Sequence, residues 1–254
     1  MAESRDSVRA VDRAIDILQA FTYEDTMLTL GQICAVVDLP KTTVYRSLTT
    51  LEKRGLVAVD QLSGQYHLGY EMIKFGAIAQ ECNTLSAIAH DEMQAISQNT
   101  EQTCNIYVRD GTERLCIAQI AGSQYVRRYS YLGARYPLYC GAGKILLAYA
   151  DKDFQNQYFE QVTLERFTER TVSDKDLLRR EIAEIAEKGY SVSIGERDAS
   201  TAMVSAPLFD YTKKCIAAIT ISGPVYFFTE ENVDIYLQQL CAAAKRVSQK
   251  LGYK

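Results

Sequence analysis

Six residues between positions 41 and 49, Lys41, Thr42, Thr43, Tyr45, Arg46 and Thr49, combine cationic and hydroxyl-bearing side chains in one short stretch. Ammonium and guanidinium groups neutralise phosphates, and a guanidinium can also form paired hydrogen bonds to a guanine edge. Threonine and tyrosine hydroxyls bond phosphate oxygens, and a threonine methyl can meet a thymine methyl. Interleaved with them, Val44, Leu48 and Leu51 fall at i, i+4 and i+7, the spacing of one buried helix face. The six polar residues are thereby left outward or at the helix N-terminus, where the positive end of the dipole favours an anion. Singly, each reads as an ordinary solvated helix residue. Together with the elements around them they fit a helix that enters a DNA groove.

Those elements come in a particular order. Val8, Val11, Ile15 and Leu18 predict a first amphipathic helix ending near Phe21, and Leu30–Val37 a second. Asp38-Leu39-Pro40 breaks the second helix, because proline has no N–H to give to a helix interior. The third helix runs from about Lys41 to Arg54 and stops at Gly55. LVAVD and QYHLG then flank Leu62-Ser63-Gly64 and predict a hairpin with glycine at its tip. Helix, helix, turn, helix, hairpin is the order of a winged helix-turn-helix, in which Ser63 and Gln65 sit on the wing. Residues 41–54 hold Lys41, Arg46, Lys53 and Arg54 against Glu52 alone. The whole-chain net charge of -4 is therefore only a weak objection to a nucleic-acid partner.

The helix predicted over 69–82 is apolar on more than one side (Tyr70, Met72, Ile73, Phe75, Ala77, Ile78, Ala79). It is expected to cover itself with another chain or a second domain; a buried helix within one large domain is the alternative. From Leu85 onward helix and strand signals mix. CNIYV and RLCIAQI around Asp110-Gly111 predict a hairpin. Further strands are expected in QYVRRYSYL, YSVSI, MVSAPLF and CIAAITISG, and helices at Gly141–Tyr149, Leu177–Glu187 and Val233–Leu251. Strands joined by hairpins and flanked by helices imply an α+β domain on an antiparallel sheet. Within it, Gly141-Ala142 begins a helix, where backbone N–H groups suit a carboxylate. Thr220 and Ser222 alternate on one strand, so both hydroxyls face the same side.

Other chemistries find little support. Seven scattered cysteines with no C-x-x-C pair, and only His67 and His90, suggest reduced core thiols rather than a disulfide framework or a metal site. No cofactor is expected. The polar start MAESRDSVRA and the absence of a long apolar run lead to the expectation of a cytoplasmic protein without a membrane partner. GAGKI lacks the glycine that a phosphate loop needs five residues before Gly143, since Leu138 stands there. A small-molecule enzyme with Cys140 as nucleophile and His90 as base is the alternative function, weakened because no acid is placed to orient the histidine.

The run LPKTTVYRSLTTLEKRGLV followed by YHLG resembles the N-terminal signature of the isocitrate-lyase-regulator (IclR) family of bacterial transcription factors. GARYPLYCGAGKILLAY, KGYSVSIGERD, VSAPLFD and ITISGP resemble its effector-binding domain, in order and at suitable distances, so the likeness runs from Val8 to Leu251. It implies a winged helix-turn-helix over 1–68, a linker helix over 69–83 and a GAF-like domain over 84–254, and no catalytic residue. The implied partners are a double-stranded operator, a small metabolite, often a carboxylate, and further copies of the chain as a homodimer or dimer of dimers. The implied pocket is lined by Cys140, Gly141, Ala142, Met203, Thr220 and Ser222, with the turn after Tyr190. Here Ser193 replaces a frequent acid, Glu196 lies three positions on, and Met203 stands where some members carry cysteine. Tyr129, Tyr131, Tyr136 and Tyr139 cluster before the loop, pointing to an aromatic or larger ligand or, alternatively, to strand and core residues. Tyr131 and Tyr139 are the two carried as ligand candidates.

Overall fold

The computed structural model describes residues 8–123 and 130–254. They fall into two compact units that divide between Asn83 and Thr84. In the first, α1 (Arg9–Gln19), α2 (Leu30–Val37) and α3 (Lys41–Lys53) precede an antiparallel pair, β1 (Val57–Val59) and β2 (Tyr66–Leu68). Thr29 starts α2 by accepting the Gln32 N–H, while the Gln32 side chain accepts the Thr29 N–H, a reciprocal cap that meets two otherwise unpaired donors. Ile17, Ile33, Val44, Leu48 and Val57 are sealed in its core, so the i, i+4, i+7 spacing on α3 is an inward face as expected. At the wing tip, the Asp60 carboxylate accepts both the Leu62 and Ser63 N–H groups, and these bonds, led by Ser63, hold its carboxyl below the usual range.

Beyond β2 comes α4 (Glu71–Glu81), which carries no buried residue and leaves Tyr70, Ile73, Phe75 and Ile78 exposed. Its start is tied to the end of α3: the Gly69 N–H donates to Leu56 and the Glu71 N–H to Gly55. A Cβ on Gly69 would lie 2.0 Å from the Gly55 carbonyl oxygen. Only glycine permits that approach.

The second unit begins with α5 (Thr84–Thr100) and builds one six-stranded antiparallel sheet. Its strands are β3 (Thr103–Asp110), β4 (Glu113–Ile120), β5 (Arg135–Pro137), β6 (Ser191–Ile194), β7 (Thr201–Phe209) and β8 (Cys215–Pro224), in the spatial order β5-β4-β3-β8-β7-β6. Between β5 and β6 lie α6 (Gly143–Ala148), α7 (Lys152–Gln161) and α8 (Lys175–Lys188), and α9 (Glu230–Lys250) closes the chain. One sheet face, with Cys104, Ile106, Val204, Leu208, Ile219 and Ile221, packs on α5 and α9. On the other face, α6 and α8 cover Tyr107, Cys116 and Ala218.

The α+β class and the antiparallel sheet are as expected, with three local differences. The strand expected over 124–132 lies mostly outside the described residues, Tyr129 included. Its described end is a turn closed by the Ala134 N–H on the Tyr131 carbonyl, and β5 follows at Arg135–Pro137, where no strand was expected. The helix expected from Gly141 begins at Gly143, because Gly141 has φ +56°, outside helical backbone. Helix α7 was not foreseen: Asp151 caps it through the Phe154 N–H, and Tyr158 and Phe159 are its only buried apolar residues, too few to make a visible period.

We predict that Gly69→Ala lowers the stability of the first unit by about 1–3 kcal/mol, the ordinary cost of forcing atoms into filled space. Calorimetry or urea titration checks this, and Gly76→Ala, where a new methyl meets nothing within 4 Å, is the control.

Candidate functional site

On α3, Lys41, Thr42, Tyr45 and Arg46 are exposed, Tyr45 at 54%, while Thr43 and Thr49 are partly so. Pro40 supplies no side-chain cap; its carbonyl accepts the Thr43 and Val44 N–H groups, leaving the first-turn amides of Lys41 and Thr42 for an external acceptor. The helix therefore ends in a patch that is cationic, hydroxylated and donor-rich. Two hydroxyls are already engaged. Thr49 donates to the Tyr45 carbonyl, and Ser63 donates to Asp60 while accepting the Gln65 N–H, so Ser63 shapes the wing turn. Arg13 of α1, which the sequence reading passed over, lines the groove beside Thr43 and Arg46 and widens the cationic face.

In the second unit, the middle of the sheet face opposite α9 is polar. The strand register puts Asn105 opposite Thr220 and Gln119, Thr220 opposite Ser205, Ser222 opposite Met203, and Met203 opposite Ser193. All share one face of the pleat. Asn105 donates to the Ser222 hydroxyl at 2.9 Å and accepts from Gln119 at 2.9 Å, and Gln119 also donates to the Ser130 carbonyl. The hydroxyls of Ser191, Ser205 and Thr220 are buried without a partner.

Above this strip lies a cavity of about 80 Å³, walled by Gly141, Ser193, Glu196, Met203 and Ser222 together with Arg114, Ser130, Arg197, Asp198 and Thr201. Five of the ten expected effector residues thus meet at one wall. Thr220 is buried in the strip but not on the wall. Ala142 and Cys140 are buried in the turn before α6, and Cys140 directs its thiol at the Pro137 carbonyl. Tyr139 stacks on Phe167 and exchanges hydrogen bonds with the Glu165 backbone, and Tyr131 sits on the turn outside. Tyr136 is packed edge-on to Tyr107. Of the four clustered tyrosines, the three described are therefore placed by packing and turn geometry rather than by the cavity.

Glu196 makes the governing contacts. One carboxylate oxygen accepts the Gly141 N–H at 2.9 Å and the other the Lys144 ammonium at 2.7 Å, while Lys144 also reaches Glu181 at 2.6 Å. Burial opposes the Lys144 charge, but Glu196 and Glu181 outweigh it and hold the ammonium above the ordinary lysine range. The lysine of GAGKI is thus spent on two glutamates. The helix-start amide expected to cradle an external carboxylate is already occupied by an internal one.

Two family models match this chain: the IclR helix-turn-helix domain over residues 10–61, and the bacterial transcriptional regulator IclR C-terminal domain over residues 79–249. The chain belongs to the IclR family. Curated relatives include the transcriptional regulators KdgR of Escherichia coli, 33% identical over 98% of this chain and 94% of its own, and KipR of Bacillus subtilis, 30% identical over 96% and 98%. A crystal structure of an IclR homologue complexed with 4-hydroxybenzoate, from Microbacterium hydrocarbonoxydans, shares the fold with TM-score 0.81 at 21% identity, over 95% of this chain and 98% of its own. An IclR-family regulator with a helix-turn-helix and an α+β effector-type domain is what the sequence motifs implied.

Arg114 is the main wall residue that sequence reasoning missed. A signal was present, because Arg114 and Cys116 share parity on β4 and the position therefore points inward.

Two outcomes are expected. Lys144→Met strands Glu196 and Glu181 and lowers stability by about 3–5 kcal/mol. The stabilisation linked to the Lys144 proton is present below the ordinary lysine pKa and is lost as pH rises through the raised one. Denaturation of wild type and Lys144→Met at neutral pH and again above the lysine range reads this directly, the difference between them shrinking as the ammonium loses its proton. For Cys140, burial pushes the thiol up, ahead of the opposing pull of Arg114. It stays unmodified by iodoacetamide at neutral pH in the native protein and reacts after denaturation, as peptide mass spectrometry will show.

Proposed function

We propose that this IclR-family regulator binds a double-stranded operator through α3 and the wing, as a homodimer or dimer of dimers, under control of a small metabolite held in the Ser222–Met203–Gly141 cavity. The observation that carries the DNA half is the exposed Tyr45–Arg46 flank on a helix whose opposite flank is the core of its unit. Lys41 and Thr42 then take phosphate at the helix start, Arg46 and Tyr45 reach base edges or backbone, and Thr43, Thr49, Ser63 and Gln65 complete the contact along helix and wing. Arg13 joins the phosphate contacts from the neighbouring helix.

Support for the effector half comes from a buried polar strip beneath a partly open cavity, a costly arrangement unless a ligand or water meets those groups. The complexed homologue holds an aromatic carboxylate. The small, polar wall here favours a compact carboxylate over an aromatic one. Copies of the chain meet through the apolar sides of α4, which nothing in its own unit covers. A dimer reads two half-sites about 34–36 Å apart or at multiples of that spacing, so a ligand that reorients α4 changes affinity. The reading places the protein in the cytoplasm; no helix among the described residues is long and apolar enough to cross a membrane. It also leaves Cys140 without a catalytic role, consistent with a thiol buried away from the cavity wall.

Fluorescence anisotropy on fragments upstream of the gene tests the DNA half. Binding weakens steeply with salt, and Arg46→Ala costs about 1–3 kcal/mol if Arg46 reads a guanine. Equal binding by wild type and Arg46→Ala removes Arg46 from the interface.

A further inference from the structure

Two threonines in the second half of α3 turn their hydroxyls back onto their own helix. Thr49 donates to the Tyr45 carbonyl at 2.9 Å and Thr50 to the Arg46 carbonyl at 3.0 Å. A hydroxyl held against the carbonyl four residues earlier leaves the methyl on the same β-carbon as the outward group. At the start of the helix the arrangement is the reverse: among the described residues, the Thr42 and Thr43 hydroxyls have no hydrogen-bond partner. By helical period, Thr42, Arg46, Thr49 and Lys53 fall at i, i+4, i+7 and i+11, on the line opposite the buried Val44, Leu48 and Leu51. Thr50 lies to one side of that line, where it borders a groove with Ala10, Ala14 and Ser47. Thr49 therefore presents a methyl from the middle of the outward line, one turn beyond Arg46.

We propose that Thr49 reads a thymine by methyl-to-methyl contact in the major groove, within two base pairs of the base that Arg46 meets in each half-site. The inference rests on the reading of α3 as the helix that enters DNA. Such a helix meets phosphates at its start and flanks, and base edges along its outermost line. The free hydroxyls of Thr42 and Thr43 stand at the phosphate end, whereas Thr49 faces the floor of the groove with its hydroxyl already bonded. The outward group there is apolar, and thymine is the base that answers it, since its C5 methyl projects into the major groove where cytosine carries only hydrogen. The spacing follows from the helix rise. Three residues from Arg46 to Thr49 advance about 4.5 Å along the axis, against about 3.4 Å for each base pair.

Selection of the full-length protein on a random-sequence duplex pool, followed by fluorescence anisotropy on the selected site, tests this. The site is resynthesised with each thymine in turn replaced by deoxyuridine, which removes the C5 methyl and nothing else. For wild type, one such replacement in each half-site is expected to weaken binding about fourfold, the factor that covering one methyl-sized group carries. Thr49→Val keeps the methyl and loses the hydroxyl; it binds like wild type and feels the same replacement. Thr49→Ser keeps the hydroxyl and loses the methyl; it binds the thymine site about fourfold more weakly and no longer distinguishes thymine from uracil there. The thymine-to-uracil ratio is measured within each variant, so any change in its folded fraction cancels. Binding that follows the hydroxyl, with Thr49→Ser like wild type and Thr49→Val weakened, overturns the methyl contact and leaves α3 as the reading helix. A selected site at which no deoxyuridine is felt, or at which Thr49→Ser keeps the thymine preference, overturns the contact as well. Failure of wild type to enrich any sequence overturns the reading of α3 itself.

Discussion

Burial of the Lys144 ammonium between Glu181 and Glu196 is the interaction on which the effector side of this protein depends. An ion taken out of water must be met by opposite charge and by hydrogen bonds, or it loosens everything around it. Here the match ties α8, through Glu181, to the start of α6 and to the segment between β6 and β7 that carries Glu196. The second oxygen of Glu196 holds the Gly141 N–H, and the carbonyl of the preceding residue, Cys140, accepts from Arg114. One buried charge thus sets the turn before α6, the roof of the cavity and the resting place of the arginine beneath it. Thr168 and Thr171 add to the clamp by donating their hydroxyls to the Glu196 carbonyl.

The sheet explains why such a clamp is needed. On the α5/α9 side its residues are aliphatic and packing alone suffices. On the other side Asn105, Ser205, Thr220 and Ser222 lie in the middle of the sheet, where no backbone group remains to satisfy them. A protein built for stability alone would place valine there. A buried polar strip in which several hydroxyls meet no protein partner is a departure from local consistency of the kind found at functional sites. In the helix-turn-helix unit the same economy appears in simpler form: one helix serves as core on one flank and carries an exposed cationic, hydroxylated face on the other.

Much of this was legible in the linear chain. The three helices and wing of the first unit, the inward set Val44, Leu48 and Leu51, the Asp110-Gly111 hairpin and the final helix follow from periodicity and turn residues, which are local properties. The family motifs identified the class of protein. The start of α6 was misplaced because only the backbone of Gly141 reveals that it is not helical. Helix α7 was overlooked because its buried face is so narrow.

The cavity wall shows where local information ends. Gly141, Ser193, Glu196, Met203 and Ser222 could be named in advance, but not that Glu196 would occupy the Gly141 amide. Nor could the chain alone say that Tyr139 would be absorbed by Phe167 while Arg114 faced inward. Residue types, helical and strand periods and the outward chemistry of α3 were determined by the sequence itself, since each depends on neighbours within a turn or a pleat. Which charges pair, which amide is taken and which cation is left without an anion were decided only by the tertiary structure, because those contacts join residues from 23 to 55 positions apart, and burial makes each contact depend on the others.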